Sequence, residues 1–161
     1  MAGPGTAERT TRAGKYLTFK LSGEEYGLEI LRVTTIIGLM EITAVPQTPA
    51  YMRGVINLRG KVIPVVDMRA KFGMEATEDT NETCIIVVDV TKNGAAVHMG
   101  VLVDSVSEVL NIAEEDIEDA PELGGCDVDT DFILGMAKAG STVKILLAID
   151  KVLVGEELAA A

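Results

Sequence analysis

The chain has no tryptophan, three tyrosines and three phenylalanines, so aromatics make up only 4% of its 161 residues. Its core must rest on Val, Ile, Leu and Met, and a hydrophobic content of 48% supplies enough of them. Such β-branched richness favours strands. Histidine occurs once, as His98, inside an apolar run. One imidazole excludes most triads, and His98 reads as a strand residue pointing outward or hydrogen-bonded internally. Cysteine occurs twice, as Cys84 and Cys126. Thiols so far apart form no disulfide framework and read as reduced, as in a cytosolic protein. Bases are scarce: 14 against 25 acids, a net charge of −11. That excludes a nucleic-acid-binding face and disfavours an anionic membrane surface. No hydrophobic run reaches the length of a membrane span, so no direct membrane insertion is expected. The stretch 1–14 has no apolar signal core and reads as a disordered tail.

What is present reads as strands and tight turns. Lys15-Tyr16-Leu17-Thr18-Phe19-Lys20-Leu21 alternates, with Leu17, Phe19 and Leu21 inward and Thr18 and Lys20 toward water. Ser22 to Glu25 is a turn. Glu29 to Gly38 mixes helical spacing with a β-prone run, which predicts a short helical turn and then a strand. Pro46 and Pro49 make 45–51 a loop. Met68 to Gly73 is a short helix ending at Gly73. The acidic stretch 75–82 reads as the place where the chain passes between lobes. Thr83 to Val90 is a buried strand, Lys92-Asn93-Gly94 a hairpin turn, and Val97 to Val109 one long strand with Gly100 at a bulge or bend. Phe132 to Ala137 and Val143 to Ile149 form a further hairpin, and a short terminal helix spans Lys151 to Ala161. No helix long enough for a crossover separates the strands, so the fold class is all-β, with small barrels rather than a parallel sheet.

Motifs for chemistry are sparse. Asp127-Val128-Asp129-Thr130-Asp131 resembles the start of a calcium loop, but Phe132 stands where the turn glycine belongs and Lys138 where the bidentate acid belongs. It reads as a solvated acidic loop. The acids Glu114, Glu115, Asp116, Glu118 and Asp119 read as a solvated helix face or turn. No Gly-rich phosphate cradle opens a helix, so no cofactor, metal or enzymatic activity is expected.

The most informative stretch is Arg53-Gly54-Val55-Ile56-Asn57-Leu58-Arg59-Gly60-Lys61-Val62-Ile63-Pro64-Val65-Val66-Asp67. Two β-prone runs flank the turn Arg59-Gly60. Val62 and Ile63 fall on opposite faces, which predicts a strand sandwiched on both sides. Pro64 places itself at an edge, a bulge or a lobe boundary. Arg59 then stands at a hairpin tip, a planar fork of donors that is always charged.

This run resembles the CheW family of bacterial chemotaxis adaptors. So do Tyr26-Gly27-Leu28-Glu29-Ile30-Leu31-Arg32-Val33, the segment Pro46 to Gly54, and Gly100-Val101-Leu102-Val103-Asp104-Ser105-Val106. The resemblance implies one domain over 15–153, built as two five-stranded SH3-like barrels packed side by side with terminal segments exchanged between lobes, and 154–161 as a tail or helix end. It further implies a cytoplasmic, non-enzymatic scaffold joining chemoreceptor tips to the regulatory domain of the histidine kinase CheA, with weak self-association in arrays. Arg59 becomes the leading coupling residue, with Asn57, Gly60 and Arg53 in support. A groove between the barrels would take the receptor's helical tip, with Ile30, Val33, Thr35, Ile36, Val101, Val103 and Val106 as candidates. Thr35 stands where the family often carries an acid that would pair with Arg59; Glu29 or Glu41 would have to substitute, or Arg59 is left for a partner. The alternatives are an adaptor of another sensory pathway or a ligand-binding or enzymatic double barrel.

Overall fold

The structure, a computed structural model, describes residues 13–74, 78–92, 94–119 and 133–153. Cys126, the Asp127–Asp131 loop, Asn93 and the stretch 154–161 lie outside these residues. The element order is β1 (Gly14–Leu21), β2 (Glu24–Glu29), a 3-10 turn (Ile30–Arg32), β3 (Val33–Gly38), β4 (Met52–Leu58), β5 (Lys61–Asp67), α1 (Met68–Lys71), β6 (Cys84–Lys92), β7 (Ala95–Val103), β8 (Ser105–Ile112), a second 3-10 turn (Glu114–Asp116), β9 (Ile117–Glu118), β10 (Ile133–Ala139), β11 (Thr142–Leu147) and α2 (Ile149–Leu153). Gly14 belongs to β1 rather than to a tail. The terminal helix begins two residues before the expected Lys151.

The strands form two sheets, one of six strands in the order β8-β1-β2-β11-β10-β9 and one of five in the order β3-β6-β7-β5-β4. The lobes are therefore not sequential halves. The chain starts in the six-stranded lobe, crosses at Ile30–Arg32, builds the whole five-stranded lobe from β3 to β7, and returns at Asp104. The expected passage near 75–82 is thus corrected: β5 and β6, which flank that stretch in sequence, belong to the same sheet. The long strand expected over Val97–Val109 is likewise two strands in different sheets, broken at Asp104.

β6 and β7 explain why the lobes adhere. Ile85, Val87 and Leu102 face the interior of their own lobe, with Ile56, Ile63 and Val65. Ile86, Val88, Val101 and Val103 face the other way, into a shared core with Leu17, Phe19, Leu21 and Leu28 of β1 and β2 and with Ile149, Val152 and Leu153 of α2. A strand buried on both faces must be apolar at every position, and Cys84-Ile85-Ile86-Val87-Val88 is such a run. The six-stranded lobe has its own smaller core of Tyr16, Ile112, Ile117, Ala137 and Leu146.

Two local expectations change. Thr18 is fully buried, not facing water. The β1–β8 register shifts between Leu17 and Phe19, and the Thr18 hydroxyl both donates to the Glu108 carbonyl (2.9 Å) and accepts from the Glu108 N–H (3.1 Å). It thereby satisfies the backbone of the bulged residue. Gly100 sits in an unbroken register with β6, so it makes no bulge. A Cβ there would lie 2.8 Å from Ile85 Cγ2 and 3.3 Å from Val65 Cγ2, so close packing requires the glycine.

Candidate functional site: the hairpin tip and the lobe junction

β4 and β5 pair antiparallel, with Leu58 opposite Lys61, so Arg59-Gly60 is a two-residue turn. Both residues have positive φ, 54° and 86°. Such a mirror-image turn matches the right-handed twist of the strands. Asn57 Oδ1 accepts the Gly60 N–H at 2.9 Å, which pins the tip. Asn57 therefore holds the turn. Around Gly60 a Cβ would meet nothing within 4 Å, so backbone conformation alone calls for glycine there. Arg59 is exposed, and among the described residues no ion pair reaches it, neither from Glu29 nor from Glu41. The hairpin is sandwiched only at its base: Val65 and Val66 are fully buried, but Val62 is 72% exposed. Pro64 lies just before the parallel pairing of β5 with β7, which begins at Val65 opposite Gly100.

Arg53 does not join Arg59. It sits at the base of the hairpin, six residues away or roughly 20 Å along an extended strand. There its guanidinium meets Asp79 Oδ2 at 2.6 Å and Asp67 Oδ2 at 3.8 Å. The same cluster holds Arg69, 2% exposed, which reaches Asp67 Oδ1 at 3.1 Å, Asp104 Oδ1 at 3.1 Å and Asp79 Oδ1 at 3.5 Å. Asp67 also caps α1, accepting the Arg69 N–H at 3.0 Å. Asp104 Oδ2 accepts the Ser22 N–H at 2.8 Å across the lobe boundary. The chain's return crossing is thus tied to both lobes. At the other crossing, Arg32 donates to the Asp89 carbonyl at 3.0 Å and pairs with Asp150 of α2, which accepts the Thr91 N–H at 3.1 Å. Sequence reasoning missed both clusters, because their members are scattered and only Asp67-Met68-Arg69 carries a local cue.

Burial alone would lower the Arg69 pKa, but hydrogen bonds and charge from Asp67, Asp104 and Asp79 outweigh it and raise it. The hydrogen bond from Arg53, with lesser help from Arg69, holds the Asp79 carboxyl below its ordinary value. A depressed folded-state pKa contributes stability that is present above the unfolded value and lost as pH falls through the folded one. We expect the melting temperature of the wild type to drop more steeply than that of Asp79→Asn below about pH 4, the ordinary carboxylate range. Parallel curves from pH 5 to pH 2.5 in thermal melts would count against this role.

The groove candidates separate. Val101 and Val103 are fully buried in the shared core and have no face left for a partner. Their strand packs lobe on lobe, which corrects the expectation that they line an open groove. Ile30, Val33 and Val106 are half-buried and pack against that core from its rim. Ile36 on β3 is 42% exposed, while Ile37 packs into the five-stranded lobe. Thr35 is half-buried and pairs with Val87. Leu31, between Ile30 and the anchored Arg32, is 92% exposed, the most exposed large apolar side chain among the described residues. His98 lies on the surface with Nε2 3.3 Å from Asp89 Oδ1, as its strand position suggested.

Residues 15–157 match the CheW-like domain family. The chain belongs to the CheW family. Among its relatives, the chemotaxis protein CheW of Klebsiella aerogenes is 36% identical over 162 residues, covering 99% of this chain and 95% of that one. The CheW of Rhizobium meliloti is 36% identical over 156 residues, covering 96% and 97%. The crystal structure of the CheW scaffolding protein from Thermoanaerobacter tengcongensis superposes with a TM-score of 0.79 at 34% identity, covering 90% of each chain. The fold is accordingly all-β with two SH3-like barrels, and the protein is a non-enzymatic chemotaxis adaptor. The six-stranded sheet exceeds the expected five strands by one, with β9 only two residues long. No helix among the described residues is long and apolar enough to cross a membrane.

Proposed function

We propose that this CheW-family protein couples chemoreceptors to the histidine kinase CheA from the cytoplasmic side, reaching the membrane only through its partners. The observation that carries the reading is Arg59: an exposed guanidinium on a pinned turn, with no ion pair to any acid among the described residues, in a chain of net charge −11. Ile30 and Val33, half-buried against the shared core, and exposed Leu31 beside Ile30 are the apolar residues on which a receptor's helical hairpin would lay its stripe, with Val106 as a further candidate. The Arg59 turn serves the kinase regulatory domain. The shared core and the charge clusters at both crossings hold the two surfaces in one geometry, so receptor state passes through packed contacts. Individually modest contacts gain strength when linked in an array, and weak self-association would add to this.

The test is kinase autophosphorylation with receptor signalling fragments, CheA and this protein, each also omitted in turn. Stimulation is expected only with all three present. Arg59→Ala should melt within about 2 °C of the wild type, because an exposed turn side chain buries little, yet lower the stimulation roughly tenfold. Undiminished stimulation by Arg59→Ala would remove Arg59 from the coupling surface.

A further inference from the structure

The two lobes repeat one plan. Hairpins β4–β5 and β10–β11 pair in the same register: Leu58 lies opposite Lys61 as Ala139 opposite Thr142, with a shift between Met52 and Gly54 as between Ile133 and Gly135. β5 then pairs in parallel with β7, and β11 with β2. Each hairpin runs into a short helix, and the second residue of each helix clasps a crossing: Arg69 of α1 holds Asp104, and Asp150 of α2 holds Arg32. The backbone contacts repeat as well. Asp104 Oδ2 accepts the Ser22 N–H after β1, and Asp150 Oδ1 accepts the Thr91 N–H near the end of β6.

The clasps match in place and differ in chemistry. Arg69 is buried and meets three acids. Beside Asp104, Val103 is fully buried and Ser105 half-buried, so this clasp holds no apolar side chain outward. Arg32 meets one acid among the described residues, and the two side chains keep 27% and 40% of their exposure. Leu31, immediately before it, is the most exposed large apolar side chain described. The turn Ile30–Arg32 has no side-chain cap and no buried residue. Three residues are too few to hold their own direction. Ile30 rests against the core, and the Arg32 side chain supplies the other anchor, its Nε donating to the Asp89 carbonyl. Through Asp150 that guanidinium joins the turn to β6 of one lobe and to α2, whose Ile149, Val152 and Leu153 lie in the shared core.

We propose that the Arg32–Asp150 pair is a positioning device for receptor docking: it fixes the Ile30–Arg32 turn so that Leu31 is already oriented in the free protein. An apolar side chain held in its bound direction loses less conformational freedom on docking, which strengthens binding. Neither member of the pair touches the receptor. The proposal rests on the coupling function above and deepens it: the pair acts on the receptor contact and leaves the kinase contact alone. The Asp104–Arg69 clasp has no such role, since no exposed apolar residue adjoins it.

The experiment is titration calorimetry of the full-length protein against a receptor signalling fragment and, in parallel, against the purified CheA regulatory domain, with Arg32→Met, Arg32→Lys, Asp150→Asn and Leu31→Ala. Arg32→Met should weaken receptor binding roughly tenfold and leave kinase binding within about twofold. Asp150→Asn, which still accepts the Thr91 N–H, should weaken receptor binding less. Arg32→Lys keeps the charge without the fork and should recover part of the loss. The deciding readout is the cycle with Leu31→Ala: once the leucine is gone, Arg32→Met should cause no further loss of receptor affinity, because the pair acts through that side chain. Additive losses overturn the proposal. So does wild-type receptor affinity in both Arg32→Met and Asp150→Asn, and so does an equal fall in receptor and kinase binding, the mark of a general loosening of the fold. A loss in Arg32→Met with none in Asp150→Asn means that Arg32 meets the receptor itself, and also overturns it. Absence of any receptor complex with the wild-type protein overturns the coupling function and the proposal with it.

Discussion

Replacing Arg69 by methionine should destabilise the protein by about 3 kcal/mol, although the side chain lies far from the hairpin tip. That corresponds to a fall in melting temperature of roughly 6–12 °C for a chain of this size. Arg69 is 2% exposed, and its guanidinium is the common partner of Asp67, Asp79 and Asp104. Methionine fills a similar volume but leaves Asp104 without its cation and Asp67 and Asp79 with Arg53 alone. Those carboxylates keep some contact with water, with side chains 18–27% exposed, which holds the loss at the lower end of what an orphaned buried charge costs. Asp104 would also lose one of the two anchors that fix the return crossing between lobes. Arg69→Lys should recover only part of the loss, because a single ammonium cannot reproduce a fork that bonds several acids. Chemical denaturation of both variants measures the effect. A loss under 1 kcal/mol for the methionine variant would mean that the cluster behaves as an ordinary surface network.

Gly54→Ala should cost at least about 3 kcal/mol. Gly54 has φ of 145°, and a Cβ there would lie 2.2 Å from the Thr43 carbonyl oxygen and 2.8 Å from Ile42 Cγ2. The obstruction is backbone and cannot swing aside. Thr43 exchanges both hydrogen bonds with Val55, N–H to carbonyl at 2.8 Å and 2.9 Å, closing the open edge of β4. An alanine must break that bridge or displace β4, and β4 carries the hairpin. Gly60→Ala is the control: it has φ of 86° but nothing within 4 Å of its Cβ, so only conformational strain of about 1 kcal/mol is expected. Equal losses in the two variants, measured by denaturation, would show that conformation rather than collision governs Gly54. If Gly54→Ala stays folded, it should also weaken kinase coupling with Arg59 untouched, because the tip is aimed by its base.

The parts of this molecule that are local were legible in the sequence. The Arg59-Gly60 turn was readable because a two-residue hairpin depends on the residues in it, and Asn57 completes it from three positions away. The turn followed by β3 at Ile30–Gly38 was readable from a change of period. Composition alone set the aliphatic core and removed most catalytic chemistry, and the order of the motifs carried the family.

Other features depended on what packs against what. Apolar residues on both faces of a strand mark burial but not the identity of the covering layer, so Val101 and Val103 read equally as groove and as core; only the neighbouring lobe decides. The crossing at Asp104 has no glycine or proline to announce it, since it is set by Ser22 and Arg69, 82 and 35 residues away. Thr18 looked solvated because alternation cannot foresee a bulge in its partner strand. Arg53 and Arg59 share one motif but not one place, because a strand holds them at opposite ends and, among the described residues, only Arg53 pairs with acids. Local geometry and composition were determined by the sequence itself. The pairing of distant charges, and the choice of which apolar faces stay open, were decided by tertiary structure, because both depend on contacts between segments that the order of residues alone does not bring together.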